Sequence, residues 1–392
     1  RPCCILPRMA DLTVANWLHD PYGTRALQRV DELRPHVPIA RGASARTLPT
    51  IAVDLGGIEL EGRDGETITL DRHLETSNTE GLIVLKDGAV VFERYRNGLQ
   101  PDTRHIFFSV TKSVCASTLG IAVERGQIGL DDLAGDIDPA LAGTAVGSAT
   151  VQQVIDMTAG IDFVETYDEL SDPELESAAL RFFRQCGLMP LEGADPVGVI
   201  ALMAEYGQAY PHGERFEYRT PLTCTAGHLL EIATGRPWNE LAAEVWAGIG
   251  AEHDAAVVVD VADQAFAGGG MLGTLRDLAR YGQLHLEGGG ETIPDWWIDA
   301  TREGTDDTRR AFDLDPHLSE LDLEIWDEYR NAFWVVESGR TYEALGIYGQ
   351  VCRVNDATGT VIARFSAHPT GTSTDIDYEM YRAHDAIETA LS

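Results

Sequence analysis

Stretches that read as β-strands sit towards the two ends of this chain and the stretch between them reads as helix, which restricts the architectures open to it. Residues 82–85 and 89–95 are apolar runs separated by Lys86-Asp87-Gly88, and Asp-Gly between two such runs is a strong hairpin signal. Residues 332–336, 348–354 and 360–366 form the second group, the last two joined through Asn355-Asp356-Ala357-Thr358-Gly359. In the middle, residues 151–157, 196–206 and 222–234 carry the clearest helical periodicity. A further helix is expected after Thr274 over 275–286, and an amphipathic one over 375–391. Two strands from the start and three from the end predict one antiparallel sheet flanked by helices, an α/β chain of the α+β type. Residues 1–130 and 265–392 would form that α/β region, with 131–264 an inserted, mostly helical region and a cleft between the two.

The chemistry in this frame starts with a lysine. The chain has 28 arginines but only two lysines, and Lys112 follows Ser109 by three residues in Phe108-Ser109-Val110-Thr111-Lys112. Residues 109–124 read as a helix ending at Gly126, and residues three apart share a helix face, so the amine can stand over the hydroxyl. A serine hydroxyl becomes a nucleophile when a base takes its proton, and an amine is such a base if burial keeps it neutral. A second element is Gly213-Glu214-Arg215-Phe216-Glu217-Tyr218-Arg219-Thr220. A phenol beside a Ser–Lys pair can relay protons where a nearby cation lowers its pKa; taken alone, Tyr218 is more simply a packing tyrosine. A third is Ala344-Leu345-Gly346-Ile347-Tyr348-Gly349-Gln350 at the start of a strand. Acyl transfer needs backbone N–H groups aimed at the developing oxyanion, and those of Ser109 and Ile347 are candidates, with the glycines admitting a substrate.

Several other classes are excluded or demoted. A net charge of −33 argues against a nucleic-acid partner, because phosphate contacts need clustered Lys and Arg. No apolar stretch approaches the length that spans a bilayer. There is no H-E-x-x-H and no G-x-S-x-G. The run Gly268-Gly269-Gly270-Met271-Leu272-Gly273 matches a dinucleotide fingerprint formally, but a glycine turn before a Thr274-capped helix explains it better. Trp296, Trp297 and Trp334 read as core or cleft wall. The six cysteines, at 3, 4, 115, 186, 224 and 352, lack metal-ligand spacing, so reduced thiols in a cytoplasmic setting are expected, with Cys115 a small core residue. Residues 1–8 lack the long apolar region of a secretory signal, and Met9 is the expected natural start.

The order of these parts resembles the serine β-lactamase/penicillin-binding superfamily, and within it the class C-like esterases of the 6-aminohexanoate-dimer (nylon-oligomer) hydrolase branch. The likeness runs from about Asp11 to the end. It is carried by Phe108-Ser109-Val110-Thr111-Lys112-Ser113, Asp156-Met157 with Ile161-Asp162, Gly213-Glu214 with Phe216 and Tyr218, Phe266-Ala267 with Gly269-Gly270, Arg276-Asp277-Leu278-Ala279-Arg280, and Gly346-Ile347 with Gly349-Gln350. It implies a β-lactamase/transpeptidase-like fold, Ser109 as nucleophile, Lys112 as base, Tyr218 as proton relay and the Ser109 and Ile347 amides as oxyanion hole. It also implies Tyr167 as a loop tyrosine assisting amide cleavage, with Gly346 and Tyr348 beside the substrate. Two departures stand out. The tyrosine box ends in Thr220 where penicillin-interacting enzymes have asparagine, and Ala344-Leu345-Gly346 replaces a Lys-Thr-Gly type triplet. The substrate-amine contact of the branch has no placeable counterpart in residues 172–179.

The expectation is therefore a cofactor-free serine hydrolase, cleaving small carboxylic esters and secondarily linear amides through an acyl-enzyme on Ser109. A β-lactamase or D-Ala-D-Ala carboxypeptidase is the alternative of the same class, and a non-catalytic scaffold of this fold the alternative of another. The partner is a small molecule, with neither nucleic acid nor membrane, and family analogy admits a homodimer.

Overall fold

The hairpin at Asp87-Gly88 forms as expected in the computed structural model, which describes residues 11–19, 22–170, 175, 177–316 and 325–392. The expected start at Met9, Cys3 and Cys4, and most of the stretch 172–176, lie outside these residues. β1 (Thr79–Lys86) and β2 (Ala89–Tyr95) pair antiparallel through a turn in which Asp87 and Gly88 have φ of 49° and 81°. That backbone is one an Asp-Gly pair adopts readily. The C-terminal part adds β3 (Glu328–Arg330), β4 (Phe333–Glu337), β5 (Thr341–Gly346), β6 (Gln350–Asn355) and β7 (Thr360–Ser366). Together they make a seven-stranded antiparallel sheet ordered β2-β1-β7-β6-β5-β4-β3.

The sheet thus takes five C-terminal strands, not three. β3 has only three residues. β5 contains Glu343, which breaks the apolar alternation a strand is read from and is buried by accepting from Trp326 Nε1 at 3.0 Å and Arg353 Nη1 at 3.5 Å. The strand expected from residue 348 begins only at Gln350, so Ile347, expected at its edge, lies in the turn 347–349 between β5 and β6.

Side chains along β1 alternate between two cores. Ile83 and Leu85 join the larger core; Leu82 and Val84 face the opposite side with Ile362, Ala383 and Ile387. Helices therefore cover both faces. They are α1 (Val110–Glu124), α2 (Thr220–Thr234), α3 (Leu275–Leu286) and α4 (Thr374–Leu391). α3 lies on β7, β6 and β1, and α4 supplies Ala383 and Ile387 on the other face. α1 packs between α2 and β5, and every residue from Val110 to Ala122 is buried. Among the described residues no helix is long and apolar enough to cross a membrane.

A second, unforeseen sheet orders His36–Ile39, Ala255–Val258, Met271–Gly273 and His105–Ile106, all antiparallel. Its strands run two to four residues, too short to display a period. It matters because it fixes the 268–270 turn beside α1. Phe107 N donates to Met271 O at 2.8 Å, and Met271 N to Thr111 Oγ1 at 3.0 Å.

The end of β5 meets the entry to α1 at Gly346. A Cβ on this residue would stand 2.4 Å from the Phe107 carbonyl oxygen, a backbone atom that cannot swing aside. Gly346→Val should therefore lower unfolding free energy by about 1–3 kcal/mol, since overpacking forces backbone shifts of that cost. Chemical denaturation against the parent chain checks this; an unchanged midpoint would show that the contact is not tight.

Candidate active site

The chain reaches Ser109 through a strained residue. Phe108 has φ of 45°, a left-handed backbone that costs a phenylalanine about 1–3 kcal/mol. Its ring is buried, 6.1 Å from Trp17 and 5.4 Å from Tyr348. The turn it makes sets Ser109 at the N-cap of α1. One helical turn on, Lys112 Nζ lies 2.6 Å from Ser109 Oγ and donates to the Gly268 carbonyl at 2.7 Å. Lys112 is 1% exposed. Burial pushes its amine from 10.5 down to about 8, against an opposing pull from the charge of Glu165. Roughly a tenth of such an amine is neutral at pH 7. With its lone pair turned to the serine O–H and an N–H on Gly268, a neutral Lys112 is satisfied on both sides.

Tyr218 completes the triangle. It lines the same cavity as Ser109, its phenol near enough for the serine hydroxyl to act on its pKa, and Lys112 Nζ stands 5.0 Å from its ring centroid. The ring stacks on Trp334 at 5.5 Å and meets Tyr329 edge-on. Here the sequence reading needs correction. It required a cation to lower the phenol's pKa, whereas burial and the Glu165 charge push it well above its ordinary value. Tyr218 is thus a neutral O–H group, able to donate and accept hydrogen bonds but not a phenolate.

The backbone N–H groups of Ser109 and Ile347 have no backbone acceptor among the described residues. Ile347 is held by its neighbours: Gly346 closes on Phe107, and Tyr348 N donates to Gly371 O at 2.8 Å. Tyr348 itself has φ of 63° and is buried against Phe108, in a small recess with Leu18, Leu27 and Pro369. It does not line the cavity beside Ser109, although the resemblance implies a place beside the substrate; its left-handed backbone turns it away.

That cavity measures about 350 Å³ and is lined by Ser109, Tyr167, Tyr218, Trp334, Gly346 and Ile347 among others. Behind Ser109 a smaller apolar recess is walled by Phe182, Phe183, Leu188 and Phe266. Tyr167 donates to Glu165 Oε1 at 2.7 Å, as does Thr220 Oγ1 at 2.7 Å, while Thr220 N donates to Glu165 Oε2. Thr220, in place of the asparagine, opens α2 and anchors this carboxylate. Glu165 is the site residue that sequence reasoning missed. One loop glutamate among 63 acidic residues carries no signal, and its partners Lys112, Thr220 and Tyr218 lie about fifty residues away in either direction. Gly268 was read only as part of a turn, yet its carbonyl receives the lysine.

Known proteins are similar to this chain in sequence and fold over nearly its whole length. The chain is 28% identical over 390 residues to a 6-aminohexanoate-dimer hydrolase of Paenarthrobacter ureafaciens, spanning 96% of this chain and 95% of that one. A Bacillus anthracis structure provisionally described as a 6-aminohexanoate-dimer hydrolase superposes with a TM-score of 0.86 at 23% identity, covering 98% of both chains. A Bacteroides dorei structure, provisionally described as a beta-lactamase, superposes with a TM-score of 0.60 at 18% identity, over 81% of this chain and 97% of that one. Residues 70–386 match the Beta-lactamase family, and a match over that much of the sequence, with a β-lactamase/transpeptidase-like fold around Ser109 and Lys112, means that the chain belongs to it.

Proposed function

We propose that this chain is a serine hydrolase that cleaves small carboxylic esters, and secondarily linear amides of the 6-aminohexanoate-oligomer type, through an acyl-enzyme on Ser109. The observation that carries the reading is a buried amine of lowered pKa, 2.6 Å from a serine hydroxyl at a helix N-terminus. In the proposed cycle Lys112 takes the Ser109 proton as the oxygen attacks the carbonyl carbon. The Ser109 and Ile347 amides hold the oxyanion, and Tyr218 passes the proton on to the leaving group. Water, deprotonated by the same groups, then releases the acid and restores the serine. Tyr167, bonded to Glu165 at the cavity wall, is placed to serve a leaving nitrogen, which needs a proton more than an alkoxide does. A β-lactamase reading is weaker. No lysine or arginine is among the described residues lining the cavity to hold a lactam carboxylate, and Ala344 and Leu345 occupy the positions from which one would reach.

Ser109→Ala should abolish turnover of a p-nitrophenyl ester and labelling by a fluorophosphonate, read as intact mass; surviving turnover would remove Ser109 from the mechanism. The pH profile gives a second check. A base whose pKa is lowered to about 8 is neutral above that pH, so kcat/KM should rise through about 8 and then level off. Tyr218 should add no fall below pH 10, because its phenol is raised above its ordinary value. Glu165→Gln removes a charge that raises Lys112, so the rising limb should move to lower pH. A limb that stays or moves upward would show that Lys112 is not the titrating base.

A further inference from the structure

The cavity beside Ser109 extends to the first turns of α4, where Thr374, Asp377, Met380 and Tyr381 line its far end. Those positions are three or four residues apart and share one helix face. Opposite them stands Trp326, edge-on to Tyr381 at 5.8 Å and 4.6 Å from Trp334. The aromatic wall therefore runs unbroken from Tyr218 through Trp334 and Trp326 to Tyr381. Two carboxylates, Glu165 and Asp377, face this space, and among the described residues that line it there is no Arg, Lys or His.

Asp377 is held in place by a backbone N–H, and the charge of Arg364 acts on it from behind a histidine ring. Its Oδ2 accepts from Ser373 N at 3.1 Å, which satisfies one of the N–H groups left free at this helix start. Its Oδ1 has no hydrogen bond among the described residues. His368 Nδ1 stands 3.7 Å from it, beyond hydrogen-bond length. His368 is neutral: burial holds its imidazole well below the usual range, and its Nε2 accepts from Arg364, which can only donate. Arg364 lies behind that ring, bound to Ser366, Ser77 and His73, and does not reach the cavity. A carboxylate 29% exposed in a pocket of aromatic rings meets the requirements of an alkylammonium on both counts, charge and π-face.

We propose that this end of the cavity is a cation subsite, in which Asp377, Trp326 and Tyr381 receive an ammonium group carried by the scissile substrate. The inference rests on the hydrolase reading and sharpens it. Hydrolysis takes place at Ser109 and selection at the start of α4, a segment some 265 residues further along the chain.

The test compares isosteric ester pairs at pH 8, where Asp377, raised by burial to about 6, is ionised. One pair carries the charge on the acyl half: p-nitrophenyl esters of an ω-trimethylammonio acid and of its tert-butyl analogue. The other carries it on the alcohol half: choline butyrate and its dimethylbutyl counterpart. In one pair the cationic ester should have the higher kcat/KM by about tenfold or more, chiefly through KM, and added salt should shrink that ratio. In Asp377→Asn, which can still accept from Ser373, the ratio should fall to within about twofold, and Asp377→Glu should restore part of it. Equal rates within both pairs, or a preference that survives Asp377→Asn, would overturn the subsite. Hydrolysis of the neutral esters keeps that failure separate from the parent reading: if the wild type turns over none of the four esters and takes up no fluorophosphonate, the hydrolase assignment itself has failed, and the subsite with it.

Discussion

The site depends on a lysine buried where, among the described residues, no carboxylate bonds to it. Lys112 sits on a helix surrounded by core on every side, and its two hydrogen-bond partners are a hydroxyl and a carbonyl. A charged group without a paired opposite charge costs several kcal/mol to desolvate, and the group responds by releasing its proton. Arg353 and Arg219 are buried too, but each is bonded to a carboxylate. Arg364 is the instructive contrast. It is equally buried, with only hydroxyls and imidazoles as partners, and it falls to about 10, still charged at neutral pH. The same burial applied to an amine ends at about 8. A chain with 28 arginines and two lysines therefore has a physical reason for a lysine at this position, since a guanidinium cannot be emptied of its proton there.

The two amides proposed as the oxyanion pair are held by strain that the core offsets. Phe108 precedes one and Tyr348 follows the other; both take positive φ, and their rings lie 5.4 Å apart in the same core. Each ring's burial supports the backbone turn of the residue that bears it, and their contact ties the two turns together. Gly346 lets β5 come close enough for that contact, because any Cβ would meet the Phe107 carbonyl. The spacing between the Ser109 and Ile347 N–H groups thus follows from packing in the core behind the cavity.

How far this was legible in the sequence depends on the range over which each signal acts. The hairpin at Asp87-Gly88, the helix after Ser109, the Thr274 cap and strand 360–366 were readable because their causes lie within a few residues. β3, β5 and the four-stranded sheet were not, since two- to four-residue strands have no period and Glu343 in β5 is satisfied only by Arg353 and Trp326. The Ser–Lys pair was legible as a spacing, but the neutrality of its amine is a property of the tertiary core. Tyr218 lines the same cavity as Ser109, whereas its electrostatics came out reversed, because the charge nearest in effect is Glu165 and not a cation. Tyr348 illustrates the limit from the other side: a resemblance in sequence says nothing of where a left-handed residue turns its ring.

Glu165 opposes the neutrality that Lys112 needs, yet the fold keeps it there. The carboxylate receives the first N–H and hydroxyl of α2 at Thr220, where a negative charge suits a helix start, and it fixes the Tyr167 phenol. Without it, the α2 terminus that follows directly on Tyr218 would carry unsatisfied donors beside the cavity. Its presence also stops the desolvated lysine from falling further. A base of much lower pKa would be neutral at all working pH values but would hold a proton poorly; one of ordinary pKa would never give it up. At about 8 the same amine can take the serine proton during attack and return one as the leaving group departs, which a two-step acyl transfer requires of a single residue. The balance between burial and one misaligned-looking carboxylate is what places it there.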